Sequence, residues 1–215
     1  MRLLPRLLLS LLVLLPLALS AAPDASGLQE GRDYERIAAA GPFQPLDGKI
    51  EVVEVFGYTC PHCAHFEPQL AAWAARLPKD VRFTPVPAAF GGPWDAWARA
   101  YYAADQLGVA KRSHAAVFKA LHEDHSLPMQ NVSPQELATF YTSFGVSEAA
   151  YTAALKGDAV QEKLRQAREF AQRTKIPGTP ALVINGQYLV KGQSFEDQLR
   201  IASALIAQAR NGKAR

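Results

Sequence analysis

The stretch from Lys49 to Cys63, KIEVVEVFGYTCPHC, constrains the fold of this chain more than any other. Its first eight residues, Lys49 to Phe56, are rich in Val and Ile and have the length of a buried strand. Gly57, Tyr58 and Thr59 turn the chain. Pro61 then suits the first turn of a helix, where its missing N–H costs no hydrogen bond. Cys60 and Cys63 are the only cysteines in 215 residues. Both therefore fall where a strand hands over to a helix.

The helix predicted from Pro61 runs to Leu77, with a kink at Pro68. Val81 to Pro87 reads as a second strand, and its two prolines place it at a sheet edge or near an early end. From about Pro93 to Lys175 the pattern is helical throughout, with stops at Gly108 and Gly145. Ser133 and Glu136 have capping-box spacing, and Ser147 and Asp158 are expected caps. Strands return at Ala181 to Gly192, two short apolar runs around Asn185-Gly186, a strong hairpin signal. Ser194 and Asp197 open a last helix, Phe195 to Arg210. Strand–helix–strand, a block of helices, then hairpin–helix is the order of one α/β domain interrupted by an all-helical insertion. The expected boundaries are residues 23–90 plus 176–215 for the discontinuous α/β domain and 91–175 for the insertion.

The N-terminus fixes the expected compartment. Arg2 and Arg6 precede an apolar run from Leu7 to Leu15, and small residues from Ala18 to Ala22 follow Pro16. This is the layout of a cleaved secretory signal peptide over residues 1–22. Export places the chain where disulfides persist. The formal net charge of +3 falls to +1 once Arg2 and Arg6 leave with the signal. A nearly neutral surface gives no reason to expect nucleic-acid or membrane-surface binding.

A bridge between Cys60 and Cys63 closes too short a ring to contribute much chain-entropy stabilisation. A structural disulfide is therefore a poor reading. Haem attachment needs a histidine at position 64, which is alanine. Cys60, His62, Cys63 and His65 are four potential zinc ligands, but a helix from Pro61 spreads them around its axis, and no second ligand pair exists. No metal and no cofactor are expected. Redox chemistry explains more. A helix N-terminus carries partial positive charge and unpaired N–H groups. A sulfur there is stabilised as the thiolate, the form that attacks and leaves. Cys60 is expected to be the more exposed thiol, and Cys63, one turn on, the buried one. His62 is expected to help stabilise the Cys60 thiolate. His114, His122 and His125 are read as helical surface residues without chemistry. Trp94 and Trp97, at i, i+3 spacing, are read as core residues, the alternative being that they line an apolar peptide-binding groove near Cys60 and Pro180.

Cys60-Pro61-His62-Cys63 after an apolar strand resembles the active site of the DsbA family, thiol oxidases of the thioredoxin superfamily. Pro68 resembles the kinking proline of thioredoxin-like helices. Lys175 to Leu182 (KIPGTPAL) resembles the loop that carries the superfamily's cis-proline. The resemblance implies a thioredoxin fold with a helical insertion. It makes Pro180 the cis-proline against the disulfide, with the Thr179 backbone pairing with an incoming peptide. Glu54, six residues before Cys60, matches the acid that the family buries beneath its active site, with a raised pKa and a proton-accepting role toward Cys63. A carboxylate inside an apolar strand is already costly without a task. One departure stands out: where several relatives carry a lysine near that acid, the strand pairing puts Pro85 here.

The resemblance implies a periplasmic enzyme that donates its disulfide to reduced or unfolded exported proteins. A DsbB-like membrane quinone reductase would reoxidise it, and a monomer suffices. Three other functions compete. Pro-His between the cysteines argues against a reductase. Too few residues precede the first strand for the dimerisation region of an isomerase. A peptide-binding holdase would leave the dithiol idle.

Overall fold

The five strands of the sheet run in the order β1-β5-β4-β2-β3, with β1 at Tyr34–Arg36, β2 at Ile50–Phe56, β3 at Val81–Pro87, β4 at Ala181–Ile184 and β5 at Tyr188–Val190. The computed structural model describes residues 27–38 and 40–213. The signal segment expected over residues 1–22 lies outside the described residues. β2 is central, parallel to β3 and antiparallel to β4, and buried along its whole length. β3 is an edge strand, as its prolines require. β1 was not legible. It is three residues long and lacks an apolar run, and its pairing with β5 defines it.

Seven helices complete the described residues: α1 (Pro61–Ala74), α2 (Pro93–Gln106), α3 (Ala110–His122), α4 (Pro134–Thr142), α5 (Glu148–Lys156), α6 (Asp158–Arg173) and α7 (Phe195–Lys213). Helices α2 to α6 lie between β3 and β4 in the chain, as the block of helical pattern predicted. α1 ends at Ala74 rather than Leu77, because Arg76 and Leu77 donate to the carbonyls of Trp73 and Ala74 in a tighter turn. Pro68 sits inside α1 without ending it. Ser133 and Glu136 form the predicted capping box on α4, and Ser147 caps α5. Asp158 does not cap α6. Gly157 is both the C-cap of α5 and the N-cap of α6, so it alone separates the two helices and Asp158 becomes the first residue of α6.

Side-chain alternation along β2 divides two cores. Ile50 and Val52 join Phe66 and Leu70 of α1 and Ile201 and Leu205 of α7. Val53 and Val55 join the helical block through Trp97, Val117, Leu121 and Tyr151. The hairpin turn has Asn185 at φ 52° and Gly186 at φ 64°, the two left-handed residues of a type I′ turn. Gly186 is required twice over, since a Cβ there would stand 1.7 Å from the Gly41 carbonyl oxygen.

Two glutamates occupy β2, and the fold treats them differently. Glu51 is fully buried but completely provided for. It accepts from the Phe43 N–H at 2.7 Å, the Gln44 N–H at 3.2 Å and the Arg82 guanidinium at 2.8 Å. Glu54, three residues on, has Pro85 as its neighbour on β3. Pro85 supplies neither an N–H nor a charge, as the pairing inferred from the sequence implied.

Candidate active site

Cys60 is the N-cap residue of α1, in an extended conformation, with Pro61 following as the first helical residue. The turn before it is closed by the Cys60 N–H donating to the Gly57 carbonyl at 3.0 Å. Gly57 is obligatory, because a Cβ there would stand 2.0 Å from the ring of Trp94. Trp94 thus lies across the turn, half-buried, while Trp97 is a core residue at 1% exposure. Phe90, an exposed aromatic, tilts against Trp94 with centroids 5.4 Å apart.

The two sulfurs are free thiols with opposite tendencies. The Cys60 thiol is lowered to about 5. The largest cause is a hydrogen bond from the Cys63 side chain. The Thr179 side chain and the backbone N–H groups of Cys63 and His62 add to it, and burial opposes them. The N–H groups of the helix's first turn thus favour the anion, although none makes a full capping hydrogen bond to the sulfur. The contribution of His62 visible in the structure is this N–H; its imidazole is exposed. Cys63 is pushed up by its bond to Cys60, by burial and by the nearby Glu54, and its sulfur accepts from the Gly57 N–H at 3.5 Å. One thiol is therefore held as an anion and its neighbour as an acid.

The Thr179–Pro180 peptide is cis, and Cys60 Sγ lies 3.3 Å from the Thr179 carbonyl oxygen, to which it donates only while protonated. Cys60 and Thr179, distant in sequence, thus meet at the start of α1, with Pro180 next to Thr179 and Cys63 buried one turn along the helix. Glu54 lies beneath it, 2% exposed. Its carboxyl is held well above the usual range, first by burial, then by Glu67 and Cys60. Its Oε2 has no hydrogen-bond partner among the described residues.

Three residues that the sequence reading passed over belong to this region. Glu67 is one helical turn beyond Cys63 on α1, at the i, i+4 spacing that puts two side chains on one face. His114 and His122 are not idle surface residues. His114 is 9% exposed; its Nδ1 pairs with the Tyr58 hydroxyl at 2.9 Å, and its Nε2 stands 3.5 Å from Glu67. His122 pairs through Nε2 with the Tyr58 carbonyl at 2.7 Å. His125 pairs only with the Leu121 carbonyl of its own helix end. The missed signal was periodicity: His114 lies on the buried stripe of Ala110, Val117, Phe118 and Leu121. Oxygen or nitrogen atoms of Glu54, Glu67 and His114 lie within 4.8 Å of one another, whereas Cys60, His62, Cys63 and His65 do not converge on a common point. No helix among the described residues is long and apolar enough to cross a membrane.

Known proteins resemble this chain in sequence and fold. Residues 79–203 match the family model described as the DSBA-like thioredoxin domain. The thiol:disulfide interchange protein DsbA of Pseudomonas syringae pv. tomato is 35% identical over 193 residues, covering 88% of this chain and 88% of that protein. Its counterpart from Azotobacter vinelandii is 37% identical over 187 residues, covering 85% of each. The crystal structure of oxidoreductase DsbA from Xylella fastidiosa superposes with a TM-score of 0.84 at 55% identity, covering 85% of this chain and 97% of that one. The family model begins after the cysteines, but the spans aligned with the relatives are too long to leave the cysteines out. The fold is accordingly a thioredoxin fold carrying a helical insertion. With a dithiol poised as anion and acid, and such identity over most of both chains, the chain belongs to the DsbA family and is a thiol:disulfide oxidoreductase.

Proposed function

We propose that the protein is a periplasmic oxidase that gives its Cys60–Cys63 disulfide to newly exported proteins. The observation that carries this reading is the low pKa of Cys60 at the N-terminus of α1. A sulfur stable as an anion is a good leaving group, and its disulfide is readily given away. In the proposed cycle a substrate thiolate attacks Cys60 Sγ. The bond to Cys63 breaks, a mixed disulfide forms, and Cys63 leaves and takes up a proton. A second substrate thiolate attacks the substrate sulfur, and Cys60 departs as thiolate. The substrate loses two electrons and the enzyme gains them.

Each remaining residue has a proposed role in that cycle. Pro61 fixes the entry to α1, and His62 contributes to the Cys60 thiolate. Glu54 gives Cys63 a proton during donation and regains one from solvent; during reoxidation it takes the Cys63 proton and passes one outward. Thr179 and Pro180 present the backbone along which a substrate peptide is aligned beside Cys60. Residues 23–90 with 176–215 form the thioredoxin-like domain and residues 91–175 the helical insertion, with residues 1–22 removed on export. Phe90 and Trp94 supply apolar surface beside the turn for unfolded chains. The proposed partner for reoxidation is a DsbB-like membrane quinone reductase, and the enzyme acts as a monomer without a cofactor.

Equilibration with glutathione tests the direction of the chemistry. Relative to an ordinary thiol near ~8.5, a pKa of about 5 stabilises the reduced enzyme at pH 7 by roughly 2 pKa units, ~2.7 kcal/mol before solvent screening and roughly 2 kcal/mol after it. For a two-electron couple this is roughly 45 mV. The expected potential lies above about −225 mV, clear of the ~−270 mV of thioredoxin. A value near that of thioredoxin would favour reduction over donation.

A further inference from the structure

Glu54 alone is not enough for proton exchange with Cys63. It is buried beneath the sheet's active end, and a proton that reaches it must also leave. We propose that Glu67 and His114 carry that proton between Glu54 and solvent, so that a histidine of the helical block completes the proton path of the dithiol. The inference rests on the exchange proposed above between Glu54 and Cys63. His114 acts through the two carboxyls and touches neither sulfur, which makes it a positioning residue for the proton.

Four observations converge here. Atoms of Glu54, Glu67 and His114 lie within 4.8 Å of one another, a separation that one water or a small side-chain swing closes. Glu54 Oε2 and His114 Nε2 are both buried without a hydrogen-bond partner among the described residues, whereas the structural carboxylate Glu51 is fully paired. Tyr58 fixes the ring from its far side at 2.9 Å. With Nδ1–H donating to the Tyr58 hydroxyl oxygen, Nε2 is left free to accept a proton from the side of Glu67. Finally, Glu67 and His114 line a cavity of about 390 Å³ together with Phe83, Pro85 and Tyr101. The sheet side of that cavity is Pro85, which neither accepts nor gives a proton. Exit must therefore run through α1 and α3.

The titratable and charged groups around the ring are Glu54 from β2, Tyr58 from the turn, Glu67 from α1, Tyr101 and Asp105 from α2 and Lys111 from α3 itself. Tyr101 keeps its proton, since burial pushes it up. The step that uses the path balances as follows. After the Cys60 thiolate has opened glutathione disulfide, the Cys63 thiol gives its proton to one oxygen of the Glu54 carboxyl as the other oxygen passes its own proton to Glu67. The new thiolate attacks Cys60 Sγ, and glutathione thiolate leaves. Glu67 passes the proton to the free Nε2 of His114, which then releases it to solvent in the cavity.

The two steps separate in stopped-flow oxidation of the reduced protein by glutathione disulfide between pH 5 and 9. In His114→Gln and in Glu67→Gln, formation of the mixed disulfide should keep its wild-type rate and pH profile. Its resolution by Cys63 should slow about 10-fold, less than the ~10²–10⁴ of a group that transfers the proton directly. In His114→Ala, added imidazoles of graded basicity should restore resolution, faster for the stronger base. Resolution within twofold of wild type in both glutamine variants would overturn the path. So would equal slowing of both steps, or rescue that ignores base strength, because these would mark His114 as packing for the turn. Loss of the path leaves the oxidase reading intact, since mixed-disulfide formation by Cys60 is read separately in the same traces.

Discussion

Cys60→Ser is expected to abolish disulfide transfer to a reduced, unfolded protein, while Cys63→Ser should lock the enzyme onto its substrate. The difference follows from the positions of the two sulfurs. Cys60 caps α1 and is the sulfur that the helix end stabilises as an anion. A serine hydroxyl there forms no disulfide and is a far weaker nucleophile. Cys63 is 1% exposed and reaches no substrate; its task is to leave and to return. Without it, Cys60 still exchanges with a substrate disulfide, but no internal thiol resolves the product. Incubation of Cys60→Ser with a reduced model substrate and glutathione disulfide, and of Cys63→Ser with the disulfide form of that substrate, followed by acid quenching and non-reducing electrophoresis, reads both outcomes. Catalysed oxidation by Cys60→Ser at the wild-type rate, or no trapped adduct with Cys63→Ser, would contradict these roles.

The second large effect concerns stability. The folded pKa of Cys60 is depressed to about 5, against ~8.5 in an unfolded chain. The resulting stabilisation of the reduced protein is fully present above pH ~8.5, still substantial at pH 7, and lost as pH falls through about 5. The oxidised protein has no thiol to ionise and lacks this contribution. Two pKa units at pH 7 would be ~2.7 kcal/mol, and since the sulfur lies close to the surface, solvent screening reduces this to roughly 2 kcal/mol. Glu54 has the opposite sign. Its raised pKa costs stability as pH rises through the ordinary carboxylate range, but it does so in both redox forms. The Tm of reduced minus oxidised protein should therefore be larger at pH 7 than at pH 4 by about 4–8 °C. A difference independent of pH would mean that the Cys60 anion stabilises nothing.

Much of this architecture was legible because local and global signals agreed. Lys49 to Phe56 carries strand residues at a strand's length, Ser133 and Glu136 announce a helix start, and Asn185-Gly186 can hardly be anything but a hairpin turn. Residues whose conformation depends on partners far along the chain were harder to read. Tyr34–Arg36 becomes a strand only because β5 lies beside it. Asp158 loses its capping position because α5 runs directly into α6.

The same division holds at the active site. Cys60 and Cys63 declare themselves by spacing, and Glu54 by its place in an apolar strand. Glu51 sits in that strand with the same local signature, and only the fold separates them. The Phe43 and Gln44 amides and Arg82 surround one carboxylate, while Pro85 faces the other. His114 looked like any helical histidine until α3 packed its buried stripe against Tyr58 and Glu67. A proton path assembled from a strand, two helices and a turn has no linear signature.

The central claim is that the start of α1 holds Cys60 as an anion. Thiolate absorbance in the ultraviolet, followed from pH 3 to 10 in the reduced protein with Cys63→Ala as the single-thiol control, measures it directly. The account predicts ionisation of one thiol in the reduced wild-type protein with a midpoint near 5, with the second staying protonated past neutrality. In the control, which lacks the Cys63 hydrogen bond, the midpoint should rise yet stay below that of an ordinary cysteine. A midpoint near ~8.5 in the wild-type protein, the value of an ordinary cysteine, would contradict it.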